Sequence, residues 1–269
     1  MKMVLLSYTD LVLAAVLVVA LALLSIRMKL SLWKQIIIAA LRTTVQLLLI
    51  GLVLKAVFAN AKLPWITLMA LFMLLAAGRE VTARQKRRLA GFWGFGVGTV
   101  SMFISSFTVT IFALIAIVGN TPWYAPQYAI PLLGMLLGNT MNGVALGINH
   151  LTQASWEQRR IIEERLILGQ DRTQAILDIR RESVRTGLIP IINSMAAAGI
   201  VSLPGMMTGQ ILAGSPPVEA VKYQILIMFL IAAGTGFGTL SAVWFTSHRL
   251  FDARHRLRLD RLSSIGNTI

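Results

Sequence analysis

Long apolar segments, separated by short stretches rich in arginine and lysine, run through most of this 269-residue chain. Uncharged segments of this length are typical of helices that cross the hydrocarbon core of a bilayer, which is roughly 30 Å thick. The composition agrees, since 56% of the residues are hydrophobic, 13% are charged and the mean hydropathy is +0.73. A soluble fold is therefore excluded, and the sequence predicts an all-α, polytopic membrane protein.

We predict seven membrane spans, at residues 8–26, 34–58, 63–78, 92–118, 128–149, 187–203 and 224–245. Basic residues cluster after the first, third, fifth and seventh spans. On the other side of the bundle the basic residues are Lys2, Lys55, Lys62 and Lys222. Since arginine and lysine are retained in the cytoplasm, this partition predicts an N-terminus outside and a cytoplasmic C-terminus. Residues 1–269 then form a single transmembrane domain.

Several function classes are excluded by the residue inventory. The net charge of +14 does not indicate nucleic acid binding, because the basic residues border membrane spans. The chain has no cysteine, which excludes disulfides and thiolate chemistry, and its His and acidic residues supply no catalytic set for an intramembrane enzyme. It also lacks a GxxxxGK[ST] motif, so any ATP that drives it must bind another subunit.

The longest polar interval, residues 156–187, lies between the fifth and sixth predicted spans. Apolar residues recur there at helical spacing up to Leu168, and Gly169 ends this first helix. Asp171, with Gln174 three residues later, is an N-cap signature that starts a second helix. A charged helical hairpin is too structured for a linker, so we predict a cytoplasmic docking surface for another protein.

Polar side chains inside spans are costly in hydrocarbon and indicate helix contacts or a pathway. In the second span we interpret Arg42 as structural, with Thr43 and Gln46 as candidate pathway residues. In the fifth span one face bears a stripe of amides, namely Asn139, Asn142, Asn149 and Gln153. Hydrogen bonding between helices and lining of a pathway explain that stripe equally well.

The segment after the sixth predicted span cannot continue as a regular helix through Pro204 and Gly205. A break at membrane depth needs cover by protein or water, which makes the segment a candidate part of the pathway. Its candidate residues are Met206, Met207 and Gln210. Thioethers suit soft metals, but methionines in an oily chain mostly serve packing, so the sequence assigns no metal site.

Glycine pairs four residues apart indicate where helices approach one another closely. These pairs are Gly94 with Gly98, Gly134 with Gly138, Gly143 with Gly147, and Gly234 with Gly238. We expect all of them to pack against neighbouring helices.

Several longer stretches resemble one known family, the permease subunits of bacterial Fet-type iron-export ABC transporters, which also includes plant aluminium-tolerance permeases. The matching stretches are Arg42-Thr-Thr-Val-Gln46 with Gly51, Gly78-Arg79-Glu80, residues 128–139, residues 203–214 and Tyr223-Gln224. The hairpin also resembles the coupling loop of ABC importer permeases, because Glu163 precedes Gly169 by six residues. The Leu-x-Pro element that follows in that loop is displaced here to residues 188–190.

The resemblance implies a permease that exports iron, powered by a separate ABC ATPase that binds ATP and Mg²⁺, with no cofactor on the permease itself. One coupling loop per chain implies a homodimer in the bacterial inner membrane. The residues implied to couple to the ATPase are Glu163, Gly169, Arg172 and Arg181. Two alternatives stay open: another cargo such as a nucleotide sugar, and an ATP-independent secondary transporter, for which inverted repeats or intramembrane carboxylates would be expected.

Overall fold

The computed structural model describes residues 7–59 and 62–264, which contain eleven α-helices and one short β-ribbon. The helices are α1 (Tyr8–Arg27), α2 (Trp33–Ala59), α3 (Leu63–Ala83), α4 (Phe92–Met102), α5 (Thr108–Phe112), α6 (Pro126–Glu157), α7 (Arg159–Ile167), α8 (Arg172–Ala175), α9 (Leu177–Ala197), α10 (Gly205–Leu212) and α11 (Pro217–Arg249). Two π-helical segments, Phe103–Phe107 and Ala113–Val118, extend α4 and α5 into one continuous rod. The all-α fold class is confirmed.

Among the described residues, six helices are long and apolar enough to cross a membrane. They are Thr9–Arg27, Trp33–Ala59, Leu63–Ala83, Phe92–Val118, Pro126–Glu157 and Pro217–Arg249. Each corresponds to one predicted span. The last two helices, Pro126–Glu157 and Pro217–Arg249, extend beyond the predicted spans at 128–149 and 224–245, because both continue into polar sequence. The chain is therefore a multi-pass membrane protein.

The predicted span at 187–203 is not among these six, so the count of seven is not confirmed. Its residues belong to α9, which begins in the charged interval at Leu177 and ends at Ala197. The apolar part of α9 after Gly187 is too short to cross roughly 30 Å at about 1.5 Å per residue. The chain then turns, and α10 starts at Gly205, as the proline and glycine there predict.

The contacts between helices give their directions. On α6 and α11, Leu136 lies beside Gly234 and Val144 beside Gly238, so these two helices run parallel. On α9, Gly187 lies beside Gly143 of α6, so α9 runs antiparallel to both. Because two parallel helices need a return connection, α9 brings the chain back between α6 and α11.

Two apolar clusters stabilise the bundle. One lies at the end where α2, α3 and α6 meet near Val57, Ile66 and Leu132. The other begins around Leu74 and Val144 and continues past the membrane-length part of the bundle. There it joins Ile162 of α7 and Ile176 before α9 to the C-terminal segment, through Leu250, Phe251 and Leu262.

A two-stranded antiparallel ribbon forms at this same end, which was not expected of an all-α chain. Strand β1 (Arg87–Leu89) follows α3, and β2 (Leu262–Ser264) lies near the C-terminus. The register pairs Arg88 with Ser263. We call this end, with β1, α7, α8 and residues 250–264, the basic end, because most of the arginines predicted to be cytoplasmic lie there.

Candidate transport pathway and docking surface

The packed side of α6 is a seam of glycines and small residues against α9 and α11. A Cβ atom at Gly143 would lie 2.7 Å from side-chain atoms of Thr235 and Thr239, and 3.0 Å from the Gly187 carbonyl oxygen. One at Gly187 would lie 2.6 Å from the Gly143 carbonyl oxygen. These positions therefore admit only glycine at the present helix spacing. The predicted packing against neighbouring helices is confirmed, except at Gly94, where a built Cβ meets the carbonyl oxygen of Leu89 in β1, and at Gly138, which has no atom within 4 Å of a built Cβ.

The amide stripe of α6 divides into two parts with different roles. At the basic end, Asn149 accepts the backbone N–H of Lys86 at 3.0 Å and the side-chain amide of Gln153 at 2.9 Å. Thr152 donates to the Arg87 carbonyl oxygen at 2.9 Å. Asn149 and Gln153 thus hold the α3–α4 connection, which is the structural alternative that the sequence left open.

Closer to the middle of α6, the stripe is exposed. Asn139 and Asn142 are both exposed, and Gly138 beside them is half-buried. Asn139 uses its side-chain N–H within its own helix, donating to the Met135 carbonyl oxygen at 2.8 Å. The Asn142 oxygen accepts a hydrogen bond from Arg84 of α3 at 2.6 Å. We call this surface around Gly138, Asn139 and Asn142 the open face of α6.

A salt bridge links α2 and α3 beside the open face. Arg42 binds Glu80, as its interpretation as a structural residue requires, and the two side chains are 56% and 28% exposed. Glu80 and Arg84 lie one helical turn apart on α3. Since Arg84 binds Asn142, a polar chain connects α2, α3 and α6.

The other two predicted pathway residues of α2, Thr43 and Gln46, are exposed. Thr43 lies seven residues from both Ile36 and Ile50, which are partly buried, so it occupies the side of α2 that faces the bundle. Thr43 is nevertheless exposed, although Arg42 beside it reaches Glu80 of α3. Gln46 lies one turn beyond Arg42. Such polar groups at mid-span require a partner or water.

At the opposite end, the broken segment builds a cavity of about 620 Å³ between α9, α10 and α11. Its lining includes Met195, Met207 and Met228, and also Gln224, which is 8% exposed. The Gln224 side-chain oxygen has no hydrogen-bond partner among the described residues. The cavity is thus mostly apolar, with one unsatisfied amide and several thioethers.

The other predicted residues of this segment do not share the cavity. Met206 is 38% exposed and Met207 only 7%, since neighbouring residues of a helix point in different directions. The buried side-chain oxygen of Gln210 also lacks a partner among the described residues, but Gln210 does not line the cavity. Only Met207 of the three therefore belongs to it.

The predicted pathway residues do not form one site. Thr140, next to Asn139, lies beside Gly238 of α11, whereas the cavity lies around Gln224. These two levels of α11 are about 20 Å apart at 1.5 Å per residue. Asn139 and Asn142 lie on the open face, Thr43 and Gln46 are exposed on α2, and Met207 lies at the far end. Within the described residues no cluster of His, Asp or Glu could hold a metal ion.

The predicted elbow of the polar interval is present at Gly169. This glycine has φ +89°, and the backbone N–H groups of Gly169 and Gln170 bond back to the carbonyl oxygens of Leu166 and Arg165. Asp171 accepts the backbone N–H groups of Thr173 and Gln174 at 2.7 and 2.8 Å. These hydrogen bonds hold the pKa of the Asp171 carboxyl below its usual range, the one from Gln174 contributing most.

The elbow projects from an anchored base. Ile162 is 1% exposed, and Arg165 donates to the Ala175 carbonyl oxygen at 3.2 Å and to Asp178 at 3.0 Å. The sequence grouped Leu168 with the apolar face of the first helix, which was wrong. Ile167 and Leu168 are 84% and 82% exposed. They form an apolar tip directly before Gly169.

The four predicted coupling residues are spread over this end. Glu163 is exposed on α7, and Arg172 starts α8, where its backbone N–H donates to His255 Nδ1 at 3.2 Å. Arg181 lies on α9 and faces a groove beside α11 instead of the elbow. Glu163, Gly169 and Arg172 are thus close in the chain around the tip, and Arg181 is apart. The second arm is also interrupted, because a break at Ile176 separates α8 from α9.

The sequence did not predict that the C-terminal segment, residues 250–264, is part of the folded basic end. This segment folds back under α11, where Arg258 N–H donates to the Leu250 carbonyl oxygen at 2.7 Å and Arg261 to that of Arg249 at 2.8 Å. Asp252 accepts hydrogen bonds from Arg256 and Arg254, which lower its pKa to about 2. The alternation of leucine and arginine at residues 256–259 is the signal that could have predicted this extended segment.

A glycine-packed bundle of membrane-length helices, with a polar open face and a structured basic end, defines a multi-pass α-helical membrane protein. The chain belongs to the family described as Uncharacterised protein family (UPF0014), whose model matches residues 8–251. No solved structure matches the chain.

Three relatives share most of their length with this chain. A UPF0014 membrane protein of Synechocystis is 39% identical over 232 residues, covering 84% of this chain and 86% of the relative. The Probable iron export permease protein FetB of Escherichia coli is 35% identical over 258 residues, covering 94% and 95%. Protein ALUMINUM SENSITIVE 3 of Arabidopsis thaliana is 31% identical over 252 residues, covering 93% and 90%. The resemblance drawn from the sequence is confirmed.

Proposed function

We propose that this chain is the membrane-spanning subunit of an ABC transporter that exports iron from a bacterial cell. A separate ATPase, which binds ATP and Mg²⁺, would dock at the basic end and drive the change of access. Membership of the same family as an iron export permease supports the cargo. The absence of a nucleotide-binding motif in the sequence supports the separate ATPase.

The observation that carries the proposal is the apolar tip of Ile167 and Leu168. Two aliphatic side chains more than four-fifths exposed, held by the Gly169 elbow and the Asp171 cap, have no packing role within the described residues. Charged residues such as Glu163 surround them. An apolar centre with a charged rim is the composition of a protein interface, and its anchoring through Ile162 would transmit force into α6.

A second copy of the chain completes the transporter in this proposal. One docking tip per chain requires two chains to engage two ATPase subunits, most simply about a two-fold axis. On α2, no residue is buried along the most apolar stretch, and Thr43 and Gln46 lie exposed there. A second copy facing this side would enclose the open face of α6 and form the pathway between the chains.

The charges beside the open face favour an anionic or chelated cargo over a bare cation. Arg42 neutralises Glu80, and Arg84 donates to Asn142. Hard cations need several oxygen ligands with negative charge, which this surface does not offer. We therefore propose that iron passes as a chelate, with a nucleotide sugar as the alternative cargo. A secondary transporter is disfavoured, since Glu80, the carboxylate beside the open face, is already neutralised by Arg42.

The test is reconstitution of the permease with its copurified ATPase in vesicles, measuring ATP hydrolysis and uptake of chelated iron, free ferrous ion and a nucleotide sugar. Replacing Ile167 and Leu168 with serine should reduce stimulated hydrolysis at least about tenfold, because interface anchors contribute most of the binding energy. Gly169→Val should have a similar effect, since valine rarely adopts positive φ.

Ile161→Ser is the matched control, because this aliphatic residue is also exposed on α7 but lies away from the tip. It should keep normal stimulation. Stimulated hydrolysis that survives the double serine variant would contradict docking at the tip. Transport of every cargo without ATP would favour the secondary transporter.

A further inference from the structure

A groove of about 580 Å³ opens on the outside of the bundle between α9 and α11. It lies beside the glycine seam, on the basic-end side of the close contact between Gly187 and Thr239. Apolar side chains form its walls, and two arginines of α9 lie at its rim. The lining is Leu177, Arg180, Arg181, Val184, Leu240, Ser241, Val243, Trp244 and Phe245.

The two arginines have no acidic partner among the described residues. Asp178, the carboxylate that precedes them, binds Arg165 at 3.0 Å. Glu182, which follows them, binds Arg185 at 3.6 Å. Arg180 is nevertheless half-buried. A half-buried guanidinium without a counter-charge favours an anionic ligand, because phosphate oxygens match its geometry and charge.

The position of the groove along the bundle, next to the basic end, matches the level of lipid headgroups. Trp244 is 47% exposed at its mouth and stacks against His248 at a ring distance of 4.1 Å. Tryptophan is enriched at the level of headgroups, and arginines there extend their stems along apolar surface. Leu240 and Val184 continue the groove away from the arginines, toward the membrane-length part of α11. Phosphate at the rim and an acyl chain along the walls would fill both parts.

We propose that this groove binds an anionic phospholipid of the cytoplasmic leaflet, with its phosphate on Arg180 and Arg181 and an acyl chain along the α9–α11 walls. Basic pockets between transmembrane helices on that side are suited to such headgroups. A second copy of the chain fits less well, because a two-fold interface here would bring the arginine pairs of both copies together. The lipid would therefore contact α9, the long helix that follows the docking tip in the chain.

Brominated lipids test the proposal with the whole purified chain, since bromine quenches tryptophan on contact. The chain has six tryptophans, so the Trp244 signal is the difference between wild type and Trp244→Phe. We expect brominated phosphatidylglycerol to quench this signal at several-fold lower mole fraction than brominated phosphatidylcholine, roughly fivefold for each arginine engaged. Glycerol phosphate, which lacks acyl chains, should not compete.

The double variant Arg180→Gln, Arg181→Gln should remove the preference for phosphatidylglycerol. The matched control is Arg185→Gln, which removes the same charge from α9 but lies outside the groove and should keep the preference. Equal quenching by both lipids, or a preference that survives the double variant, overturns the proposal. A third outcome also overturns the proposal: neither lipid quenches the Trp244 signal, and the double variant has a changed molar mass. The groove would then be an interface between two copies of the chain.

Discussion

The two sides of α6 differ sharply in how closely other helices approach them. On the packed side, Gly143 and Gly147 leave no room for a Cβ atom beside α9 and α11. On the open face, Gly138 has no neighbour within 4 Å of a built Cβ, and Asn139 is exposed. Both sides are built from the same helix and the same residue type.

The difference separates close packing from an exposed polar surface along one helix. Close helix packing in a membrane depends on small residues that let backbones approach, and the packed side uses them throughout. The open face instead bears the exposed amides of Asn139 and Asn142, the second of which is bound to Arg84, beside the Arg42–Glu80 salt bridge. A glycine pair in the sequence is therefore ambiguous, because Gly134 and Gly143 pack and Gly138 does not.

The largest effect that distinguishes the two sides is expected from Gly143→Ala. Its methyl group would overlap Thr235 and Thr239, and overpacking of this kind costs about 1–3 kcal/mol. Thermal unfolding in detergent should show a clearly lower midpoint. Gly138→Ala, on the same helix, is the matched control and should leave the midpoint unchanged or slightly raised. Equal midpoints for the two variants would contradict the seam.

A smaller effect should separate water from lipid on the open face. The chain has no cysteine, so single cysteines can be placed without background. Asn139→Cys should react with a water-soluble maleimide on the order of tenfold faster than Thr140→Cys, which replaces a residue that is 0% exposed. Reaction of Asn139→Cys only with a membrane-permeant reagent would show that this face contacts lipid and is no pathway.

Much of this comparison was within reach of the sequence. Hydropathy located six spans, the first four within about five residues at each end and the last two short by up to eight, because length and charge decide which helices suit hydrocarbon. The elbow at Gly169 and the Asp171 cap were predicted correctly, since both depend on local chemistry. The docking role of that segment stays a prediction, as do the pathway residues.

The features that the sequence did not predict depend on which elements contact one another in the folded chain. The sequence could not divide the amide stripe, because only the fold places Lys86 beside Asn149 and leaves Asn139 exposed. It overcounted the spans, since a continuous α9 merges charged and apolar residues that hydropathy treats separately. It also missed the C-terminal segment, whose Leu262 joins the same buried cluster as Leu89 of β1 and Ile162 of α7.

The smallest expected effect concerns the basic end, where the packed side meets the C-terminal turn around Asp252. The folded state lowers the pKa of Asp252 from 3.8 to about 2, chiefly through the hydrogen bond from the Arg256 backbone. This stabilisation is fully present above pH 3.8 and is lost as pH falls toward 2. Amide exchange of residues 254–256, corrected for pH, should therefore accelerate in acid by less than about tenfold, because solvent screens the pair at Arg256, whose side chain is 66% exposed. Asp252→Asn should abolish this acceleration, and the amides of α2 should show none in either protein. An acid response that persists in the variant would place its origin in another group.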